Sequence, residues 1–194
     1  MITRRDIIRN TAIAAAAGAS TKASGQHVHH AVAEEKPAGG PYAPKAFNAH
    51  EWQTLRRLCD LIVPADETSK GALDGGAPEY IDLLSSSNPD LSIIYTGGLA
   101  WLDNASRHRF GAAFIAAKPD QQTALLDLIA YKKNDSPELG PGIRFFELAR
   151  KMTVDAYYTS AAGIQALGYM GNAAVAKFEV PPEAIDYALK RSGL

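Results

Sequence analysis

The chain has 194 residues, 46% of them hydrophobic, with 20 basic and 21 acidic side chains and a single cysteine, Cys59. That length allows one ordinary domain with a core large enough to stand without cross-links. The balanced charge excludes a nucleic-acid ligand, which needs clustered Lys and Arg, and one cysteine excludes an internal disulfide.

The N-terminus joins a charged head, Met1 to Arg9, to a short alanine-rich run, Ala12–Ala19. Eight such residues fall far short of the roughly 20 that cross a bilayer and suit the core of an export signal. The pair Arg4-Arg5 marks that signal as the twin-arginine type. Small residues between Ala19 and Ser24 offer the cleavage point, so residues 1–23 are expected to be a signal peptide and the mature protein to be periplasmic. Their removal takes four basic residues (Arg4, Arg5, Arg9, Lys22) and one acidic residue (Asp6), leaving 16 basic against 20 acidic and a net charge of −4. No cysteine stands where a lipid anchor would need one, and no later stretch is apolar enough to span a membrane.

Residues 24–46 combine Gly, Pro, Ala and His without apolar periodicity and read as an extended linker. Within it, His27, His29 and His30 form an H-x-H-H tract that could ligate a transition metal. A solvated linker is favoured, because nothing in the sequence supplies a rigid surround for the imidazoles.

The helical domain, 47–194, opens on Phe47-Asn48-Ala49-His50-Glu51-Trp52. Asn48 and Glu51 have the spacing of a capping box, flanked by Phe47 and Trp52 as a hydrophobic staple. Trp52, Leu55, Leu58, Cys59 and Ile62 follow at helical spacing until Pro64 ends the pattern. Cys59 lies on that apolar stripe and reads as a small buried hydrophobe rather than a reactive thiol. The loop after it carries Asp66, Glu67 and Asp74. These could bind a hard cation, but a hydrogen-bonded turn is favoured because Asp66, Thr68 and Ser69 suit one.

Pro78 starts a short helix through Leu84, and Asn88-Pro89-Asp90 starts another carrying Leu91, Ile94, Tyr95, Leu99 and Leu102. Gly97-Gly98 in its middle implies close packing against a neighbour. Further helices begin at Pro119, at Gly142 and at Pro181-Pro182. No alternating β-branched runs compete, so the fold is expected to be all-α: one compact multi-helix domain behind a signal peptide and a linker.

No G-x-S-x-G, H-E-x-x-H, C-x-x-C, phosphate loop or dinucleotide fingerprint is present. His50 and His108 are lone histidines on helices and read as structural or surface residues. The segment Tyr157 to Asn172 is rich in Tyr, Gly and small polar residues, a composition suited to an interface. Its candidate contact residues are Tyr157, Tyr158, Ile164, Leu167, Tyr169 and Met170.

Two stretches, Ile62 to Ala72 continuing through Pro78-Glu79-Tyr80-Ile81-Asp82, and Tyr157 to Ser160 with Gly168-Tyr169-Met170-Gly171-Asn172, resemble the gluconate 2-dehydrogenase subunit 3 family. The resemblance runs from Phe47 to about Asn172. It implies a non-catalytic small subunit that binds no cofactor itself and pairs with a large GMC-type catalytic subunit. That subunit would carry FAD and oxidise a sugar, sugar acid or glycoside, with a cytochrome as electron acceptor in some complexes. It also implies that the large subunit leaves the cell together with the small one through the twin-arginine translocation machinery. Two alternatives stay open: a subunit that lends Tyr157, Tyr158 or Tyr169 to a shared active site, and a free-standing metal-binding protein using the histidine tract.

Overall fold

In a computed structural model, residues 25–36, 40–169 and 180–192 are described. The twin-arginine pair and the 1–23 signal lie outside them. Among the described residues there are α-helices and short 3-10 turns and no strand, so the fold is all-α.

The helices are α1 (Gly25–Glu35), α2 (Ala49–Ile62), α3 (Ala77–Ser87), α4 (Pro89–Phe110), α5 (Pro119–Ile129), α6 (Gly140–Thr159), α7 (Ala161–Ala166) and α8 (Pro182–Ser192). Local chemistry sets their starts. Asn48 Oδ1 accepts from the backbone N–H groups of His50 and Glu51, both at 3.0 Å, while Glu51 Oε2 accepts from Asn48 N at 2.9 Å, which is the expected capping box. Asn88 caps α4 by accepting from Leu91 N at 3.1 Å. That helix ends at Gly111, whose φ of 77° suits glycine and lets its N–H reach Arg107 O.

α6 is the central element and packs against α2, α3, α4 and α5. The core between them contains Leu55, Leu58, Ile81, Tyr95, Leu102, Leu125, Phe145 and Ala156. Phe47 lies in this core with its ring facing Tyr95, and Trp52 packs against it with its ring facing Tyr42. The contact of α4 with α6 is reciprocal. A Cβ on Gly98 of α4 would lie 2.1 Å from the Phe145 ring, and one on Gly142 of α6 would lie 2.3 Å from the Trp101 ring. Each glycine is therefore the socket for the other helix's aromatic ring. Gly97 differs, for nothing lies within 4 Å of its missing Cβ.

The expected 24–46 linker is corrected in part, since Gly25–Glu35 is helical and packs against α3 and α6. Val28 and Val32, one turn apart, form its buried ridge, and His29 Nε2 bonds Ala156 O at 2.8 Å. Two valines are too few to register as periodicity, yet tertiary contacts suffice to hold a helix in place. Residues 40–44 carry no regular structure, 45–47 bend, and the segment is fastened by Asp82 of α3, whose side chain is fully buried. Oδ2 accepts from the Tyr42 hydroxyl (2.7 Å) and Lys45 N (2.8 Å), and Oδ1 accepts from Ala46 N (3.0 Å) and Phe47 N (3.3 Å). At the other end the expected 47–194 domain is longer than the packed body. Every residue of α8 is exposed.

Candidate partner-docking surfaces

Most of the residues that could carry chemistry are held in structural contacts. Cys59 is fully buried, and burial pushes its thiol up to about 12, so no thiolate forms near neutral pH. His50 Nε2 meets Asp103 Oδ2 at 2.5 Å. The same carboxylate accepts from Phe114 N at 2.9 Å, which ties α2, α4 and the 3-10 turn Phe114–Ala116 together. His108 is exposed.

Asp66 Oδ1 accepts from the backbone N–H and hydroxyl of both Thr68 and Ser69, and those bonds hold its carboxyl down to about 2. Asp74 instead accepts from Gly71 N. The acidic loop is thus a hydrogen-bonded turn. Among the described residues no group of three His, Cys, Asp or Glu is arranged to hold a metal. The histidine tract does not converge either, because His29 turns inward while His27 and His30 are exposed.

His29 is half-buried, its ring 5.2 Å from that of Tyr80. Desolvation lowers its pKa below 6.5, with the Ala156 carbonyl pulling the other way and His30 adding a smaller lowering. The docked form therefore binds its proton less readily than the undocked form, and attachment gains strength as pH rises. Attachment of α1 is expected to be complete above pH 6.5 and to weaken as pH falls from there through the lowered value. Hydrogen exchange of α1 amides at pH 5 and pH 8 measures this, and His29→Gln is expected to flatten the difference.

The tyrosine-rich segment sorts itself by helical geometry. Tyr157 lies in the core, where its hydroxyl donates to the Lys70 carbonyl, so its ring is not available to a partner. Tyr158, one position on, is 42% exposed. Ser160 ends α6 and starts α7: its Oγ donates to Tyr157 O at 2.6 Å and accepts from Gly163 N at 3.1 Å. The turn is tight enough that a Cβ on Gly163 would meet the Tyr157 carbonyl. It presents Leu167 and Tyr169, 61% and 58% exposed, beside a half-buried Ile164. Met170 lies outside the described residues. Next to this patch Gln26, His29, His30, Thr159, Ala161 and Ile164 line a notch of ≈ 390 Å³.

A second surface escapes sequence reading. Between α4 and α6 an open groove of ≈ 470 Å³ is lined by Ile94, Gly97, Trp101, Pro141, Arg144 and Leu148. Ile94, one of the apolar residues expected on this helix, is 47% exposed, and its neighbour Ile93 is 68% exposed. A 22-residue helix carries apolar residues on more than one face, and the sequence does not say which face its neighbours cover. No described helix is long and apolar enough to cross a membrane.

In comparison with known proteins, a family model described as gluconate 2-dehydrogenase subunit 3 matches residues 49–175. That span holds the body from α2 to α7 and leaves out α1 and α8. Neither a curated protein nor a solved structure matches the chain.

Proposed function

The chain belongs to the gluconate 2-dehydrogenase subunit 3 family, the small subunits of a dehydrogenase complex, and from that premise we propose that it is a non-catalytic escort and stabilising subunit. Its partner is a GMC-type catalytic subunit that carries FAD and oxidises a sugar, sugar acid or glycoside, passing electrons in some complexes to a cytochrome. The complex works in the periplasm. FAD is acquired by a folded partner in the cytoplasm, and the Arg4-Arg5 signal directs the assembled pair through the twin-arginine route, which carries folded cargo.

One observation supports this reading beyond family membership. Cys59, His29, His50 and Asp66 are committed to holding the fold, while Tyr158, Leu167 and Tyr169 are displayed to solvent. Large aromatic and aliphatic side chains on a rigid turn are what a stable interface uses as anchors.

Co-expression with and without this chain tests the proposal. The dehydrogenase is expected in the periplasm only when the chain is present, and Arg4→Lys with Arg5→Lys is expected to retain both proteins in the cytoplasm. Full export and activity of the dehydrogenase alone would overturn it. Replacing Tyr158 and Tyr169 together by Ala is expected to weaken the complex at least about tenfold, as for loss of two interface anchors. Single Phe substitutions probe the shared-site alternative. If Tyr158 or Tyr169 touches substrate through its hydroxyl, Phe lowers turnover with assembly intact; a pure escort loses assembly before it loses turnover.

A further inference from the structure

We propose that α8 is a clasp that lays its apolar face into a groove on the surface of the catalytic dehydrogenase subunit. The proposal rests on the partner reading above and adds a second, separately removable contact to it.

The helix has two chemical faces. Glu183, Asp186 and Lys190 recur at i, i+3 and i+7, and Ala184, Ile185, Ala188 and Leu189 occupy the opposite side. An amphipathic face of this kind normally packs on its own domain. Here every residue is exposed, with Ile185 and Leu189 close to half open to solvent. An isolated helix shorter than about 12–15 residues is only marginally stable in water, and this one has 11. A surface that covers its apolar face supplies the stabilisation its own body does not.

Three observations select a protein groove on the partner as that surface. The first is charge. Pro182–Ser192 carries two acids, Glu183 and Asp186, and two bases, Lys190 and Arg191. Arg191 is turned onto its own helix, 2.9 Å from the Tyr187 hydroxyl. A helix that lies on an anionic membrane displays a Lys- and Arg-rich polar face, whereas this one is led by two carboxylates. The second is reach. Twelve residues separate Tyr169 from Pro182. They span up to about 40 Å, comparable with the width of a body of this size, so the helix can grip a neighbour well beyond its own domain. The third is continuity. The exposed Leu167 and Tyr169 stand shortly before α8 in the chain, so a partner seated on that patch lies within the length of chain that leads to the helix. The helix also lies outside the family-wide span 49–175, as expected of a contact matched to this chain's own partner. Helix-in-groove docking through residues spaced i, i+3 and i+4 is a common recognition mode, and Ile185, Ala188 and Leu189 have that spacing.

The test uses the full chain and its dehydrogenase. The double variant Ile185→Asp with Leu189→Asp is compared with a polar-face control, Glu183→Gln with Lys190→Gln, by measuring the dissociation constant of the complex. Burying two large aliphatic side chains is worth a tenfold change or more, so the apolar-face variant is expected to bind at least about tenfold more weakly and the control within about twofold of wild type. The thermal midpoint of the isolated subunit is expected to be the same in all three, because every residue of α8 is exposed. Equal affinity of the apolar-face variant and wild type would overturn the clasp while leaving the escort function standing. Failure of the intact chain to bind the dehydrogenase would overturn both. Self-association of the intact chain that the apolar-face variant abolishes, or α8-dependent binding to vesicles of phosphatidylcholine and phosphatidylglycerol at 3:1, would assign the helix to a second copy or to lipid and overturn the proposal.

Discussion

Replacing Asp82 by Ala is expected to lower the folding stability by about 3–5 kcal/mol, the range for breaking a buried charged network. Four donors converge on this carboxylate: the Tyr42 hydroxyl and the backbone N–H groups of Lys45, Ala46 and Phe47. Alanine leaves the Phe47 N–H and the Tyr42 hydroxyl without an acceptor in a buried setting, so the full desolvation penalty of those groups appears. For a chain of this length that corresponds to a fall of roughly 6–20 °C in the thermal midpoint. Asp82→Asn keeps one carbonyl oxygen but presents an amide to the other two donors, and an intermediate loss is expected. Tyr42→Phe removes a single bond and is expected to cost about 1 kcal/mol. Thermal and urea melts of the three variants check the order Ala, Asn, Phe. Equal effects of Ala and Phe would mean that the backbone donors find other acceptors.

Asp82 also marks where sequence reading ran short. It stands on the same face as Pro78 and Ser85, both buried, in a helix that also buries Ala77 and Ile81. A carboxylate on a buried stripe has to be satisfied by donors, and that signal was present in Pro78-Glu79-Tyr80-Ile81-Asp82. Which donors come to it was not legible, because they belong to a segment without regular structure 35 to 40 residues earlier. By contrast the start of α2 was readable in full, since a capping box is a contact among neighbours in sequence. Proline likewise marked the starts of α3, α4, α5 and α8, whereas α1 showed no such sign. The tyrosine segment was readable in composition but not in direction. Successive helical residues point about 100° apart, so one of Tyr157 and Tyr158 had to face inward, and only the packing of α6 against the Lys70 loop decides which.

The glycine pair of α4 gives an expected result of opposite sign at adjacent positions. Gly98→Ala puts a methyl group 2.1–2.4 Å from three atoms of the Phe145 ring. That ring is buried and stands edge-on to Tyr95 at a centroid distance of 5.6 Å, a contact that it gives up if it withdraws. Either that contact or the helix spacing has to give, and overpacking of this kind costs about 1–3 kcal/mol, more than the 0.5–1 kcal/mol that alanine returns in helix propensity. Gly97→Ala meets nothing within 4 Å and keeps only that gain, so it is expected to stabilise the isolated subunit. Gly142→Ala, which drives a methyl group into the Trp101 ring, is expected to resemble Gly98→Ala because it opens the same helix pair from the other side. Since both act on one contact, the double variant is expected to lose less than the sum of the two, and a double-mutant cycle by chemical denaturation measures the shortfall. Strict additivity would mean that each helix yields locally around its own glycine, and that the two sockets do not together set the spacing of α4 and α6.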